Sequence, residues 1–240
     1  MHTTNHWALE LVASESESRG WAASFKPPFD PYLETIHGAD KSRLVLRSSE
    51  FDGLAEPNDV YFRGKEILRL LNTTMEGFRP ATPGAVAKFE GEGGPKFFHV
   101  LEAVSISSST TFGVAEIIVR DKNGKVVESP PSASRQQKWM EAARLDSHIA
   151  AAMEHLSGEP DWVGLYKAYE ALHASALAAS AISNNEKARI RRTANSEKRH
   201  WQKDAELVPI PIGEARTLLK KWLTAAINEV VGAGSPSTDA

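Results

Sequence analysis

The 240-residue chain contains no cysteine. This absence excludes disulfide bonds, thiolate nucleophiles and zinc sites built on cysteine, and it says little about the cellular compartment. The chain also lacks an uninterrupted apolar run of the roughly 20 residues that a membrane-spanning helix needs. Its first stretch, MHTTNHWALELVASESES, has neither the basic start nor the apolar core of a secretion signal. We therefore expect a cytoplasmic protein without a membrane partner.

A strong excess of one charge is absent as well. The net charge is −3, so the protein is not a dedicated nucleic-acid binder overall, and any basic surface must be local. Sequence motifs of serine hydrolases, Rossmann domains and kinases are also missing. The stretch Gly91-Glu92-Gly93-Gly94 lacks the Lys-Ser/Thr pair of a phosphate loop, and we interpret it as a hairpin turn. We predict no cofactor and no metal.

The first 129 residues predict a small α+β domain. Trp7–Val12 and Arg43–Arg47 have the composition of short strands, whereas SESESRG between them is predicted to be a polar loop. FKPPFDPY carries three prolines and is expected to be irregular. Asn58 or Asp59 can cap a helix with an apolar stripe, although Gly64 costs that helix about 1 kcal/mol relative to alanine.

From Val86 onward the sequence favours strands. Apolar, β-branched and aromatic runs at Phe97–Ile106, Phe112–Val119 and Lys125–Glu128 are separated by glycines. Asn123-Gly124 predicts a hairpin, because both residues accept the positive φ of a tight turn. These runs predict an antiparallel sheet.

Pro130-Pro131 marks the predicted domain boundary, after which the periodicity becomes helical. Ser134 and Gln137 can form a capping box that opens one helix ending near Gly158. Pro160 is predicted to begin the next helix. Residues 132–232 therefore predict an all-α bundle of about four helices, followed by a flexible tail at 233–240. The predicted fold class is α+β, with an N-terminal mixed domain and a C-terminal helical bundle.

The densest positive charge lies between Lys187 and Lys203. This segment contains one carboxylate, Glu197, and seven cationic side chains: Lys187, Arg189, Arg191, Arg192, Lys198, Arg199 and Lys203. One interpretation is a phosphate-binding face for RNA, DNA or a nucleotide. The alternatives are a solvated helix face or loop, or an internal partner for the N-terminal domain.

Asn195 and His200 lie within this segment, five residues apart. A neutral histidine can act as a general base, and a neighbouring guanidinium of Arg192 or Arg199 can stabilise an anionic phosphorane. This is the chemistry of a metal-independent ribonuclease. Alternatively, His200 and Trp201 anchor a loop against the bundle.

Two other groups of residues bear on chemistry less directly. Tyr166 and Tyr169 share a helical stripe and are predicted to be core residues, with Glu170 able to orient an arginine or imidazole. His148 and His155 are seven residues apart on one helix face, without a third ligand at metal-binding spacing.

The C-terminal half resembles a group of uncharacterised bacterial proteins with helical C-terminal domains. The resemblance rests on Trp162, Leu165-Tyr166, Tyr169-Glu170, Thr193-Ala194-Asn195, Arg199-His200, Glu214-Ala215, Leu218-Leu219 and Trp222-Leu223. That domain is similar in layout to HEPN bundles, which occur in toxin–antitoxin pairs, abortive-infection systems and CRISPR-linked ribonucleases. The resemblance implies a helical bundle, a homodimer and a role in phage defence, with catalytic and non-catalytic members both known.

Active HEPN domains carry an arginine, usually followed by a polar residue, and then a histidine after four to six intervening residues. Carried onto this chain, the histidine is His200 and the polar residue is Asn195. The arginine position then falls on Ala194, which departs from the pattern, while Arg192 lies one residue too far away. The resemblance therefore favours a bundle that binds nucleic acid or a partner protein, with a ribonuclease or a purely structural protein as alternatives.

Overall fold

A computed structural model describes residues 6–37, 42–90, 94–100, 132–199 and 209–233, of which 196–199 and 233 are described in backbone only. The chain divides into two compact units, Met1–Gln137 and Lys138–Ala240. The strands predicted at Phe112–Val119 and Lys125–Glu128, and the hairpin between them, lie outside the described residues.

In its described residues, the first unit is built on a five-stranded antiparallel sheet whose strands, numbered along the chain, lie in the order β2-β3-β1-β4-β5. Its described elements are β1 (Trp7–Val12), α1 (Glu15–Ser24), β2 (Tyr32–His37), β3 (Ser42–Arg47), a 3₁₀ helix (Ser49–Phe51), α2 (Pro57–Thr74), β4 (Thr82–Phe89) and β5 (Pro95–Phe98). The strand predicted over Phe97–Ile106 is thus β5, which begins at Pro95 and ends at Phe98; His99 and Val100 are not strand, and the rest of the predicted run lies outside the described residues.

One face of the sheet packs against α2. Leu9 of β1 pairs with Leu46 of β3, and both side chains are fully buried together with Leu68 and Leu71 of the helix. Gly64 lies where α2 approaches β1, because a Cβ at that position would stand 2.7 Å from Leu9 Cδ2. The glycine is therefore a packing requirement, and its propensity cost is offset by close helix–sheet contact.

The opposite face of the sheet carries charged side chains above a small apolar strip. Glu10 of β1 accepts a hydrogen bond from Arg43 at 2.8 Å and another from the backbone N–H of Ala85 at 3.2 Å. Arg47 bonds Glu34 at 2.7 Å, and its guanidinium lies 3.6 Å from the centre of the Phe89 ring. These paired charges satisfy the polar groups of a face that is only partly exposed.

The prediction that SESESRG is a polar loop was wrong, because the segment enters α1. Glu15 and Glu17 lie in the first turn, where negative charge is favoured by the helix dipole. Glu17 is buried, and it accepts hydrogen bonds from Ser14 Oγ and from the backbone N–H of Arg79. Trp21 is fully buried and stacks on Phe25. The helix is thus anchored by contacts that a local polarity pattern does not reveal.

The second unit is helical in its described residues. Its elements are α3 (Arg135–Leu145), which begins just before the unit division, α4 (Ser147–Leu156), α5 (Trp162–Ser175), α6 (Asn184–Arg199) and α7 (Ile212–Ala233). The bundle therefore contains five described helices where about four were predicted. The α+β fold with an antiparallel sheet and a helical C-terminal part is confirmed.

The predicted capping box is present at the start of α3. Ser134 Oγ accepts from the N–H of Gln137, and Gln137 Oε1 accepts from the N–H of Ser134. The Gln137 amide also donates to the carbonyls of Lys26 and Phe29, so residues 134–137, assigned by sequence to the bundle, group with the first unit. Gln137, in the first turn of α3, is thus tied to the FKPPFDPY segment.

Two helix boundaries differ from the predictions. The single helix expected up to Gly158 is interrupted at Asp146, whose carboxylate accepts from the N–H of His148 and caps α4. The following helix begins at Trp162 rather than Pro160, because Asp161 accepts from the N–H of Gly164 and forms its N-cap. In both places a side-chain cap sets the boundary.

The core of the second unit is centred on Trp222 of α7. Its side chain is fully buried, and its Nε1 donates to the carbonyl of Leu177 at 2.9 Å. Ile149, Leu165 and Leu219 from three helices share the same buried cluster. Burying side chains of this size contributes about 1.5–3 kcal/mol each, which gives this unit a substantial core of its own.

Candidate nucleic-acid-binding site

Helix α6 carries the basic segment and begins at a capping box. Ser183 Oγ accepts from the N–H of Glu186, while the Glu186 carboxylate accepts from the N–H and hydroxyl of Ser183. These hydrogen bonds from Ser183 lower the pKa of Glu186, against a smaller opposing effect of desolvation and with help from nearby Lys221 and Arg189. The helix start is therefore fixed, and the cap holds the Glu186 carboxylate.

The inner face of α6 is closely packed. Ile190, Thr193 and Ala194 are buried, with at most 1% of each residue exposed. Thr193 Oγ1 accepts a hydrogen bond from the N–H of Ile210, just before α7. The position where the HEPN pattern has its arginine is therefore a core position in this chain, and an alanine fits it because the surroundings leave no room for a long charged side chain.

The outer face of α6 exposes Arg191, Arg192 and Asn195. Among the described residues, neither arginine has an ion-pair or hydrogen-bond partner for its guanidinium group. Side chains three and four residues apart are neighbours on a helix surface, so Asn195 lies beside both arginines. This face presents two adjacent, solvated guanidinium groups with an amide next to them.

Lys187 and Arg189, which were predicted to bind nucleic acid, already have partners. The Lys187 ammonium lies 4.6 Å from the centre of the Trp222 ring and donates to the carbonyl of Ala179. Arg189 forms an ion pair with Glu214 of α7, with 3.3 Å between Nη1 and Oε1. These two cations therefore differ from Arg191 and Arg192: Lys187 stabilises the bundle, and Arg189 is shared with an acidic neighbour.

The remaining predicted residues are not placed by the structure. Lys198 and Arg199 lie at the end of α6, where the structure describes the backbone but not the side chains. His200 and Lys203 lie outside the described residues. The ribonuclease arrangement of His200 with Arg192 or Arg199 therefore stays a prediction.

Of the two tyrosines of α5, Tyr169 is a core residue and Tyr166 packs partly buried against the core. Tyr169 is 8% exposed, stacks on Tyr166 at 6.2 Å between ring centres, and meets the Trp222 ring edge-on at 6.1 Å. Its ring also stacks on His173. Glu170 points to the exposed surface of the same helix. The predicted stripe thus has Leu165, Tyr169 and Leu172 in the core, while Trp162 and Tyr166 are only partly buried against it. The Tyr169 ring fixes α5 against α7.

His148 and His155 lie on α4, the first exposed and the second half-buried. No group of three histidine or acidic side chains suited to a metal ion occurs in the described part of the chain. These histidines therefore do not form a metal site with the described acidic residues around them.

Sequence reasoning missed two charged residues of α7 that lie near the basic helix. Glu214 pairs with Arg189 across 25 positions in the sequence, and Lys221 acts on the Glu186 carboxylate through space. No local pattern marks either residue, because each contact depends on how α7 packs beside α6. The charge of this surface is therefore set by both helices.

The first unit contains a depression of about 450 Å³ near the start of β1. Its lining includes Trp7 and the polar residues His6, Asp52 and Lys88. Lys88 is already engaged, since its ammonium lies 4.9 Å from the Trp7 ring centre and 2.6 Å from Glu90 Oε1. We assign no chemistry to this depression.

Comparisons with family models, with curated proteins and with solved structures find no match to this chain. The resemblance to HEPN bundles accordingly rests on the helical layout and the short motifs read from the sequence, and it stays a prediction. Within the residues that the structure describes, no helix has the length and apolar character needed to cross a membrane.

Proposed function

We propose that the outer face of α6 binds the phosphate backbone of nucleic acid. The observation that carries the proposal is the pair Arg191 and Arg192, exposed and without an ion-pair partner among the described residues. Arginine in water-exposed, unpaired positions is suited to phosphate oxygens, because its planar fork of donors matches them and its charge releases counterions.

The surroundings support the same proposal. The inner face of α6 is packed and capped, so the arginines project from a rigid element rather than a loop. Asn195 adds an amide that can donate to a phosphate or a base edge. The whole protein has a net charge of −3, so attraction of a polyanion depends on this local surface. The HEPN-like layout of the bundle is consistent with such a role, including one in defence against phage.

The direct test compares two variants that change the net charge equally. Arg191→Gln/Arg192→Gln removes the proposed contacts, whereas Arg19→Gln/Lys138→Gln removes two exposed helical cations elsewhere. If each lost contact is worth about 1 kcal/mol, the first variant binds single-stranded RNA or DNA roughly 30-fold more weakly. The second variant is expected to bind like the wild type in the same fluorescence-anisotropy titration.

A polyglutamate peptide serves as the competitor that separates nucleic acid from an acidic protein partner. We expect an unlabelled oligonucleotide to displace the probe at much lower charge-equivalent concentration than polyglutamate does. Equal displacement by both would assign the surface to acidic partners in general, and equal binding by the two double variants would remove the proposal.

A further inference from the structure

Arg189 lies one helical turn before Arg192, so the two side chains are neighbours on α6. Arg189 differs from its neighbour because Glu214 of α7 holds its guanidinium at 3.3 Å. The Glu186 carboxylate, three residues before Arg189, is engaged by Ser183 in the helix cap. Glu214 is therefore the carboxylate that pairs directly with Arg189 at this surface, while Glu186 acts on Arg189 only through space.

The ion pair between Arg189 and Glu214 is weak enough for a phosphate group to replace Glu214. The side chains of Arg189 and Glu214 are 32% and 47% exposed. An ion pair with this exposure contributes little, typically between 0 and about 1 kcal/mol, because water and salt screen it. A phosphate group that arrives beside Arg192 meets a second guanidinium whose present partner is weakly held.

We propose, resting on the nucleic-acid function above, that Glu214 is a built-in competitor of the phosphate backbone for Arg189. Binding of nucleic acid transfers Arg189 from Glu214 to a phosphate oxygen, which extends the contact from the Arg191–Arg192 pair toward α7. Glu214 thereby lowers affinity for polyanions in general, and it restricts tight binding to ligands that reach all three arginines at once.

The test is the binding of a fluorescent single-stranded RNA to three variants and the wild type. Glu214→Gln is expected to bind about two- to fivefold more tightly, the factor that corresponds to loss of an exposed ion pair. Arg189→Gln is expected to bind more weakly. In the double variant Arg189→Gln/Glu214→Gln, the gain from removing Glu214 disappears, because the guanidinium that it releases is absent.

Glu141→Gln is the matched control, since Glu141 is exposed in a helix of the same unit and its loss changes the net charge equally. An equal gain in Glu141→Gln, or the same gain from Glu214→Gln with and without Arg189, would overturn the inference. Circular dichroism melting checks that Glu214→Gln, which removes a favourable charge from the first turn of α7, still folds.

Different results would contradict the proposed function and the competitor inference. If the wild type binds and Arg191→Gln/Arg192→Gln abolishes binding, but Glu214→Gln changes nothing, the competitor inference is wrong and the proposed function stands. If the Arg191 and Arg192 substitutions have no effect, the proposed function and this inference are both wrong.

Discussion

Replacing Ala194 with arginine tests whether the inner face of α6 is a packed core face or a catalytic position. This substitution supplies the arginine that the active HEPN pattern has at this position, so sequence logic alone predicts a gain of ribonuclease activity. The structure predicts the opposite outcome, because Ala194 is 1% exposed and lies beside Ile190 and Thr193 in the packed face.

The expected cost of Ala194→Arg follows from two effects. Forcing a larger side chain into a packed core costs about 1–3 kcal/mol. A buried guanidinium without a partner adds several kcal/mol unless it reaches water along its own stem. We therefore expect a loss of at least about 3 kcal/mol, which in a unit of about 100 residues lowers the melting temperature by roughly 12 °C or more.

Asn195→Arg is the matched control, because the same side chain is introduced at the next position on the exposed face. We expect its melting temperature to stay within about 2 °C of the wild type. It should also bind single-stranded RNA more tightly, since it adds a third cation beside Arg191 and Arg192. If Ala194→Arg melted like the wild type and cleaved RNA in the presence of EDTA, the assignment of Ala194 to the core would be refuted.

Two further predictions concern the fold. Gly64→Ala should destabilise the protein by about 1–2 kcal/mol, measured by urea unfolding. The new Cβ would lie 2.7 Å from Leu9 Cδ2, and the cost of moving the Leu9 side chain exceeds the gain in helix propensity. Gly232→Ala, where a Cβ meets nothing within 4 Å, should be neutral or slightly stabilising, and a stabilised Gly64→Ala would contradict the packing. Asp146→Ala should cost about 1 kcal/mol by removing the cap of α4. Burial acts to raise the pKa of Asp146, but hydrogen bonds from the Ser175 hydroxyl and backbone N–H groups lower it overall. The wild type should therefore have a larger free energy of unfolding than Asp146→Asn above about pH 4, and this difference should disappear as the pH falls further. A constant difference in stability down to about pH 2 would contradict the lowered pKa of Asp146.

Periodicity was sufficient for the long elements of the fold. The apolar stripes of α2, α5 and α7 follow from spacing, since each helix buries one continuous face. The first strand, Trp7–Val12, follows from its composition instead, because its first five residues are all buried. The helix α1 did not follow, because Glu17 and Trp21 are stabilised by contacts with distant residues. The break at Asp146 was missed because its cap lies inside an otherwise continuous helical pattern.

Only part of the candidate site could be predicted from the sequence. Charge density identified the α6 segment, but composition does not distinguish Arg191, which is solvated, from Lys187, which packs on Trp222. That difference depends on the rotation of α6 about its axis and on the residues that α7 places beside it. The pairing of Glu214 with Arg189 had no local signal, because the two residues are 25 positions apart in the sequence.

The most direct measurement of the central claim is the salt dependence of oligonucleotide binding by the wild type and Arg191→Gln/Arg192→Gln. Each phosphate contact contributes about 0.7 for single strands to the slope of log K against log salt concentration. The account predicts that the double substitution reduces the magnitude of this slope by about 1.4 and weakens binding at every salt concentration. An unchanged slope would contradict the assignment of the phosphate-binding surface to the outer face of α6.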